Sequence, residues 1–489
     1  MAIITNGLYP SGIDSPAFCY SQLISDSYKK SDKYKSDKYI QDIEGNMMCF
    51  GIEMIKKTLM KRDQELYQKA KYKILDAFNI VHVDNKPFFI DSGGYSIAKG
   101  DVPFNYVDYL IKYYLEFINF TLSDDKYKDM YYMFLDILPS NIITKEMSIN
   151  KMNEFLNRLL DVLDTQEKRN KMYIVLQFNS EYVYNTFFEF IKKSKIHEKI
   201  GSHKYAAGGM VLLDFNQTKY VVRPYMIALF DVLDLELNNL KNNIPVYFHI
   251  LGTSCIYEMI LVSWLDIYCK YYNIPLVITF DSTAFISNAV RGGTAHFIND
   301  FKDPLDIHPI TKIRLKNKYL NMPLLHRPSN YTNLDYLNKI KEMIETNLDL
   351  EYKGDDWYDN KGRFTTSGNY GVLVNEYWSL GKIYEWIKSK CLEYKEWIIN
   401  SNLHYNLKYL INNIMIEINE DFSFNGGRKN FDSNIAARLI QSLEWFNLAI
   451  NNKLPKSYKS FELVKKMFYE TNDKYKANNI IKFNSKDII

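Results

Sequence analysis

The chain has 489 residues, 47% of them hydrophobic, and a net charge of +3. That length implies either one large domain with an appended part or two domains, and the hydrophobic share excludes a disordered polar chain. No apolar run reaches membrane-spanning length, Met1–Asn6 lacks the charged and apolar regions of a signal peptide, and five scattered cysteines (Cys19, Cys49, Cys255, Cys269, Cys391) exclude a disulfide framework or a Cys-x-x-Cys metal site.

A reducing cytoplasm is therefore the expected compartment. The charge is uneven. Residues 301–489 hold 28 Lys+Arg against 23 Asp+Glu, so the first 300 residues are slightly acidic. Between Asp306 and Asp335 there is no acid, while Lys312, Arg314, Lys316, Lys318 and Arg327 all fall there. Such a window suits a phosphate-contacting surface, and it also suits a solvated face or an edge strand protected by lysines.

In chain order, Ser27–Tyr39 is a polar Lys/Ser/Tyr/Asp stretch that reads as a surface loop, and Gly51–Asn79 reads as a helix. A unit then repeats. Strand Pro87–Asp91 precedes a helix around Tyr106–Phe120, and strand Tyr131–Asp136 one around Ile149–Asp164. Strand Met172–Gln177 precedes helix Glu181–Lys193, and strand Lys204–Leu213 precedes helix Val222–Asn239. Strand Pro245–Leu251 precedes helix Ile256–Tyr272, and strand Pro275–Asp281 follows. Strands separated by helices indicate parallel βαβ units.

Six units of this kind, with Gly293–Ile298 as an eighth strand and a first within Ser15–Ile24, give an α/β protein built as a (β/α)₈ TIM-type barrel over residues 1–300. An open doubly wound sheet is the alternative. Residues 301–489 read as a basic, mainly helical extension, with helical periodicity in Leu380–Ile399, Leu403–Ile418 and Ile435–Ala449.

In such a barrel the C-terminal strand ends share one mouth, where the chemistry is built. Those ends read Asp91, Asp136, Gln177, Gly208-Gly209, Leu251-Gly252 and Asp281. Asp91 opens Asp91-Ser92-Gly93-Gly94-Tyr95, where the glycines allow a sharp turn and leave room for a flat ligand. Carboxylates around a glycine-floored pocket suit chemistry at a glycosidic carbon, one attacking C1′ and another moving the leaving-group proton. Capping competes as a role for Asp136 and Asp281, Gln177 also fits a satisfied core amide, and His249 fits a core position or one behind the site. No metal-ligand spacing and no phosphate-binding loop is present, so neither a metal nor another cofactor is expected.

The ordered set from Asp91-Ser92-Gly93-Gly94-Tyr95 through Asp136, Gln177, Gly208-Gly209-Met210 and Leu251-Gly252 to Phe280-Asp281 resembles the tRNA-guanine transglycosylase superfamily over about Pro87–Ile298. The resemblance implies a barrel enzyme that exchanges guanine for a 7-deazaguanine through a covalent glycosyl-enzyme. It implies Asp281 as nucleophile and Asp91 as acid/base group. Asp136, Gln177 and the Gly208-Gly209-Met210 backbone would hold the base, with Tyr95 stacked on it and Ser92 in contact.

The departures point to a branch. Ser96 stands where the family has Gln, and Ser282–Ser287 replaces its Leu-Pro-Thr-Arg segment, with Arg291 a remnant basic contact. The zinc-binding Cys-x-Cys-x-x-Cys is absent, and only His404 resembles the zinc histidine. These losses fit the DNA-modifying branch, which inserts 7-cyano-7-deazaguanine into DNA. The implied partners are DNA, with tRNA as the alternative, the 7-deazaguanine base as small-molecule substrate and a second copy of the chain as a candidate homodimer partner. No membrane is expected, and the setting is a bacterial cell or a phage-infected host. A guanine in a duplex must be flipped to reach a barrel mouth, at a cost of about a few kcal/mol that phosphate contacts from Lys312, Arg314, Lys316 and Lys318 would offset. The other readings are a tRNA enzyme without zinc, an inactive barrel that binds nucleic acid and, more remotely, a glycoside hydrolase.

Overall fold

The computed structural model describes residues 7–10, 46–49, parts of 67–79, 85–94, 97, 103–177, 180–208, 224–252, 256–282, 294–298, 310–314, 384–399 and 442–453. Its centre is one parallel sheet of eight strands: β1 (Gly7–Pro10), β2 (Asn46–Cys49), β3 (Phe88–Asp91), β4 (Met130–Met133), β5 (Met172–Gln177), β6 (Lys204–Gly208), β7 (Val246–Ile250) and β8 (Leu276–Ser282). The order across it is β1-β8-β7-β6-β5-β4-β3-β2. From β2 to β8 each strand lies beside its predecessor, so the sheet never reverses direction. A doubly wound sheet requires such a reversal.

The sheet is curled, and side-chain contacts prove it. Phe89 on β3 and His249 on β7 have ring centroids 4.7 Å apart. Four strand spacings separate them along the sheet, which would be about 19 Å if it were flat. Tyr131 and Tyr173 complete the layer, with Tyr173 edge-on to Phe89 at 5.2 Å and to Tyr131 at 6.2 Å. Alternation sends these rings inward and their neighbours outward. Thus Phe134 meets Phe155 of the helical layer at 5.0 Å, and Tyr205 donates to Glu236 outside the sheet.

The helices follow the expected units. α1 (Val107–Leu122) buries Leu110, Ile111, Tyr114, Phe117 and Ile118 at helical spacing. α2 (Lys145–Val162) begins at Thr144, whose side chain accepts from the Met147 N–H. α3 (Glu181–Ser194) begins likewise at Ser180, which accepts from the Val183 N–H. α4 (Pro224–Leu235) and α5 (Ile256–Tyr271) are apolar nearly all round, the mark of a helix covered on both faces. Their cover comes from the C-terminal region. Trp445 packs on Phe230 of α4 at 6.1 Å, Phe446 on Tyr268 of α5 at 5.7 Å, and Tyr384 on the outward Phe280 of β8 at 5.5 Å.

Four expectations need correction or narrowing. The segment Thr294–Ile298 (β9) is not a strand of the curled sheet; it pairs antiparallel with Ile310–Arg314 (β10) in a separate two-stranded ribbon. The remaining two strands are instead β1 and β2, whereas Ser15–Ile24 lies outside the described residues. β4 stops at Met133, three residues before Asp136. The helical reading of the C-terminal region is met at 384–393, Lys395–Ile399 and 442–450; Leu403–Ile418 lies outside the described residues. Among the described residues no helix is long and apolar enough to cross a membrane.

Because Phe89 is wholly buried at the centre of the ring layer, Phe89→Ala is expected to cost about 3–5 kcal/mol of stability. Urea unfolding measures it. A loss below about 1 kcal/mol would mean the rings do not meet across the interior.

Candidate active site

Asp91 ends β3 and Asp281 lies near the end of β8. Both are two residues beyond members of the inner layer, Asp91 beyond Phe89 and Asp281 beyond Thr279, which pairs in register with His249. Two residues along a strand is a rise of about 6.6 Å on the same face. Both carboxylates therefore stand one pleat above the rings, across the interior from each other, at the C-terminal edge of the sheet.

Asp136 is held by a different route. After β4 the chain stays extended, with the Phe134 N–H donating to the Tyr173 carbonyl at 2.8 Å. The buried Tyr114 hydroxyl bridges the carbonyls of Ile90 at 3.1 Å and Met133 at 2.8 Å, pinning the ends of β3 and β4 together. Asp136 is then buried between Ser92, whose hydroxyl donates to its Oδ1, and Gln177, whose amide donates to its Oδ2. The N-cap of α2 is Thr144 and not Asp136, and Gln177 is a buried amide whose hydrogen bond goes to the Asp136 carboxyl. Gly94 and Gly208 fit closely around this trio. A Cβ on Gly94 would collide with the carbonyl and carboxylate of Asp136, and one on Gly208 would lie 2.6 Å from Gln177 Nε2.

Burial pushes the Asp136 carboxyl up to about 7, the neighbouring Asp91 carboxylate pushes the same way, and the hydrogen bonds from Ser92 and Gln177 oppose both. A carboxyl raised in this way can either accept or donate a hydrogen bond near neutrality.

Asp281 is almost fully buried, and its Oδ1 accepts from the Gly252 N–H at 2.8 Å. Gly252 has φ 70°, a left-handed conformation that glycine adopts without strain. Behind Asp281 stands His249, with Nε2 3.4 Å from Oδ1 and Nδ1 2.7 Å from Thr279 Oγ1. The sequence reading left His249 between core and second rank; only the register, which sets it opposite Thr279, ties it to Asp281.

The structure therefore brings together Asp91, Ser92, Gly93, Gly94, Asp136, Gln177, Gly208, Gly252 and Asp281 at the strand ends. Tyr95, Gly209, Met210, Arg291, Lys316, Lys318 and His404 lie outside the described residues. Lys312 and Arg314 belong to the β9–β10 ribbon, where they pair in register with His296 and Thr294. Among the described residues no three His, Cys, Asp or Glu side chains gather as a metal site.

No protein-family model matches this chain, and no curated protein matches it.

The raised Asp136 value has a consequence for stability. The native state holds that proton more tightly than the unfolded chain, so stability is fully present below the ordinary value of 3.8 and is lost as pH rises toward about 7. Thermal unfolding followed across that window is expected to decline by on the order of 1 kcal/mol per pH unit from this group. In Asp136→Asn, with Gln177 turned to present its oxygen, that component of the slope disappears. An identical slope in both proteins would show that Asp136 ionises as an exposed carboxyl does.

Proposed function

We propose that the chain is a transglycosylase that replaces guanine in DNA with a 7-deazaguanine, 7-cyano-7-deazaguanine being the expected base, through a glycosyl-aspartate intermediate. The observation that carries this reading is a restrained carboxylate, Asp281, set across the strand ends from Asp91, beside the buried Asp136–Gln177 pair. In this reading the curl is a complete (β/α)₈ barrel, which the approach of the two edge strands β1 and β2 supports.

The steps balance. Asp281 Oδ2 attacks C1′, the bond from C1′ to guanine N9 breaks, and Asp91 in its acid form gives the departing guanine a proton. The incoming base loses a proton to Asp91, attacks C1′ and releases Asp281 as a carboxylate. Asp136 and Gln177 supply what a purine edge needs. Carboxylate oxygens accept more than one hydrogen bond each, so Asp136 can take N–H groups of the base while keeping Ser92 and Gln177. Gly94 and Gly208, having no side chains, let Asp136 and Gln177 pack directly on the backbone, which fixes the two groups offered to the base.

Two features favour DNA over tRNA. Ser282–Ser287 stands in place of the segment expected to read an anticodon loop. The β9–β10 ribbon, which begins 12 residues beyond the end of β8, holds the basic residues Lys312 and Arg314 at alternate positions of β10, and a two-stranded ribbon is of a size that a DNA groove admits.

The test is incorporation. The protein is incubated with isotope-labelled 7-cyano-7-deazaguanine and either plasmid DNA or bulk tRNA, and the products are digested to nucleosides for mass spectrometry. Label is expected in deoxynucleosides, falling below detection in Asp281→Asn and Asp91→Ala while DNA binding persists. Label confined to ribonucleosides would move the substrate to tRNA. Equal labelling by wild type and Asp281→Asn would remove the glycosyl-aspartate from the account.

A further inference from the structure

We propose that His249 is a positioning residue for Asp281: Thr279 fixes its ring so that Nε2–H meets Oδ1, and with the Gly252 N–H this leaves Oδ2 as the oxygen that faces C1′. The inference rests on the transglycosylase reading for its kinetic consequence but on geometry alone for the contact.

The geometry has four parts. His249 is completely buried, so no water competes for its nitrogens. Its Nδ1 is 2.7 Å from Thr279 Oγ1, and a hydroxyl that donates there leaves the ring proton on Nε2. Nε2 is 3.4 Å from Asp281 Oδ1, longer than an ordinary hydrogen bond, as contacts of this kind are before substrate closes a site. The ring cannot swing away, because Phe89 lies against it at 4.7 Å and Tyr173 meets it edge-on at 6.4 Å.

Two donors on one carboxylate oxygen do two things. They fix the rotation of the carboxylate, so that Oδ2 is presented in one orientation. They also receive Oδ1 as it becomes the carbonyl oxygen of the glycosyl ester, and support it when negative charge returns as Asp281 departs in the second half of the exchange. His249 never touches the sugar.

Two variants separate this role from packing. His249→Gln keeps a donor near the Nε2 position but loses the ring; His249→Phe keeps the ring but loses the donor. With DNA and no incoming base, single-turnover formation of the covalent protein–DNA species is expected to slow by about 10²-fold in His249→Phe, with DNA affinity unchanged, and to recover most of its rate in His249→Gln. The opposite ranking, with His249→Phe like wild type, would overturn the proposal, because the ring alone would suffice.

A second readout needs no activity. In protein carrying ¹⁵N-histidine, with His249 assigned by its loss in His249→Gln, the Nε2–H tautomer is expected, and its Nε2 resonance shifts in Asp281→Asn. An Nδ1–H tautomer indifferent to Asp281→Asn would overturn the contact. If wild type forms no covalent species while the Nε2–H tautomer responds to Asp281, the transglycosylase reading fails and the positioning contact stands.

Discussion

Everything in this molecule depends on rings meeting across the inside of a curled sheet. A parallel sheet has two apolar faces to cover, and here the inner one is covered by the sheet's own side chains. Phe89, Tyr131, Tyr173 and His249 come from four strands and fill one layer. That layer is a floor. Whatever sits one pleat higher on the same strands faces into the same space, and on β3 and β8 those residues are carboxylates. The curl thereby turns residues 190 positions apart, Asp91 and Asp281, into members of one site.

The two sides of the site are supported in opposite ways. Asp136 is desolvated and set near Asp91, and its hydrogen bonds from Ser92 and Gln177 only partly offset that cost. Asp281 is buried as deeply but meets a backbone N–H and an imidazole. Burial raises the one carboxyl toward neutrality, and the other accepts the Gly252 N–H on Oδ1 with His249 Nε2 3.4 Å from the same oxygen. In the proposed exchange the proton-sensitive group stands beside the base, which is bound twice, and the restrained carboxylate beside the sugar, whose C1′ is attacked first by Asp281 and then by the incoming base.

Much of this was legible in the chain. The strand–helix repeat from Pro87 to Asp281 follows from apolar runs and helical spacing, and Asp91, Gln177 and Asp281 could be placed because they follow uninterrupted β-formers. Asp136 could be placed only approximately, because its strand ends at Met133 and a tyrosine from the preceding helix, Tyr114 of α1, holds the ends of β3 and β4 together. Period-2 patterning carries no information on such a contact. β9 was misplaced because a short apolar strand reads the same whether it joins a parallel sheet or an antiparallel ribbon. β1 and β2 are four residues each, too short for alternation to distinguish them from loop. His249 needed the β7–β8 register, which no single strand contains. The uniform apolarity of α4 and α5 was a usable sign that more chain covers them, and 442–450 and 384–399 do so.

The most direct test of the central claim is to find which atom carries the sugar. Wild-type protein is incubated with guanine-containing DNA in the absence of an incoming base, denatured, digested, and the nucleotide-bearing peptide sequenced by mass spectrometry. The account predicts a deoxyribose ester on the side chain of Asp281. A sugar attached to any other residue, or a covalent species that persists in Asp281→Asn, would contradict it.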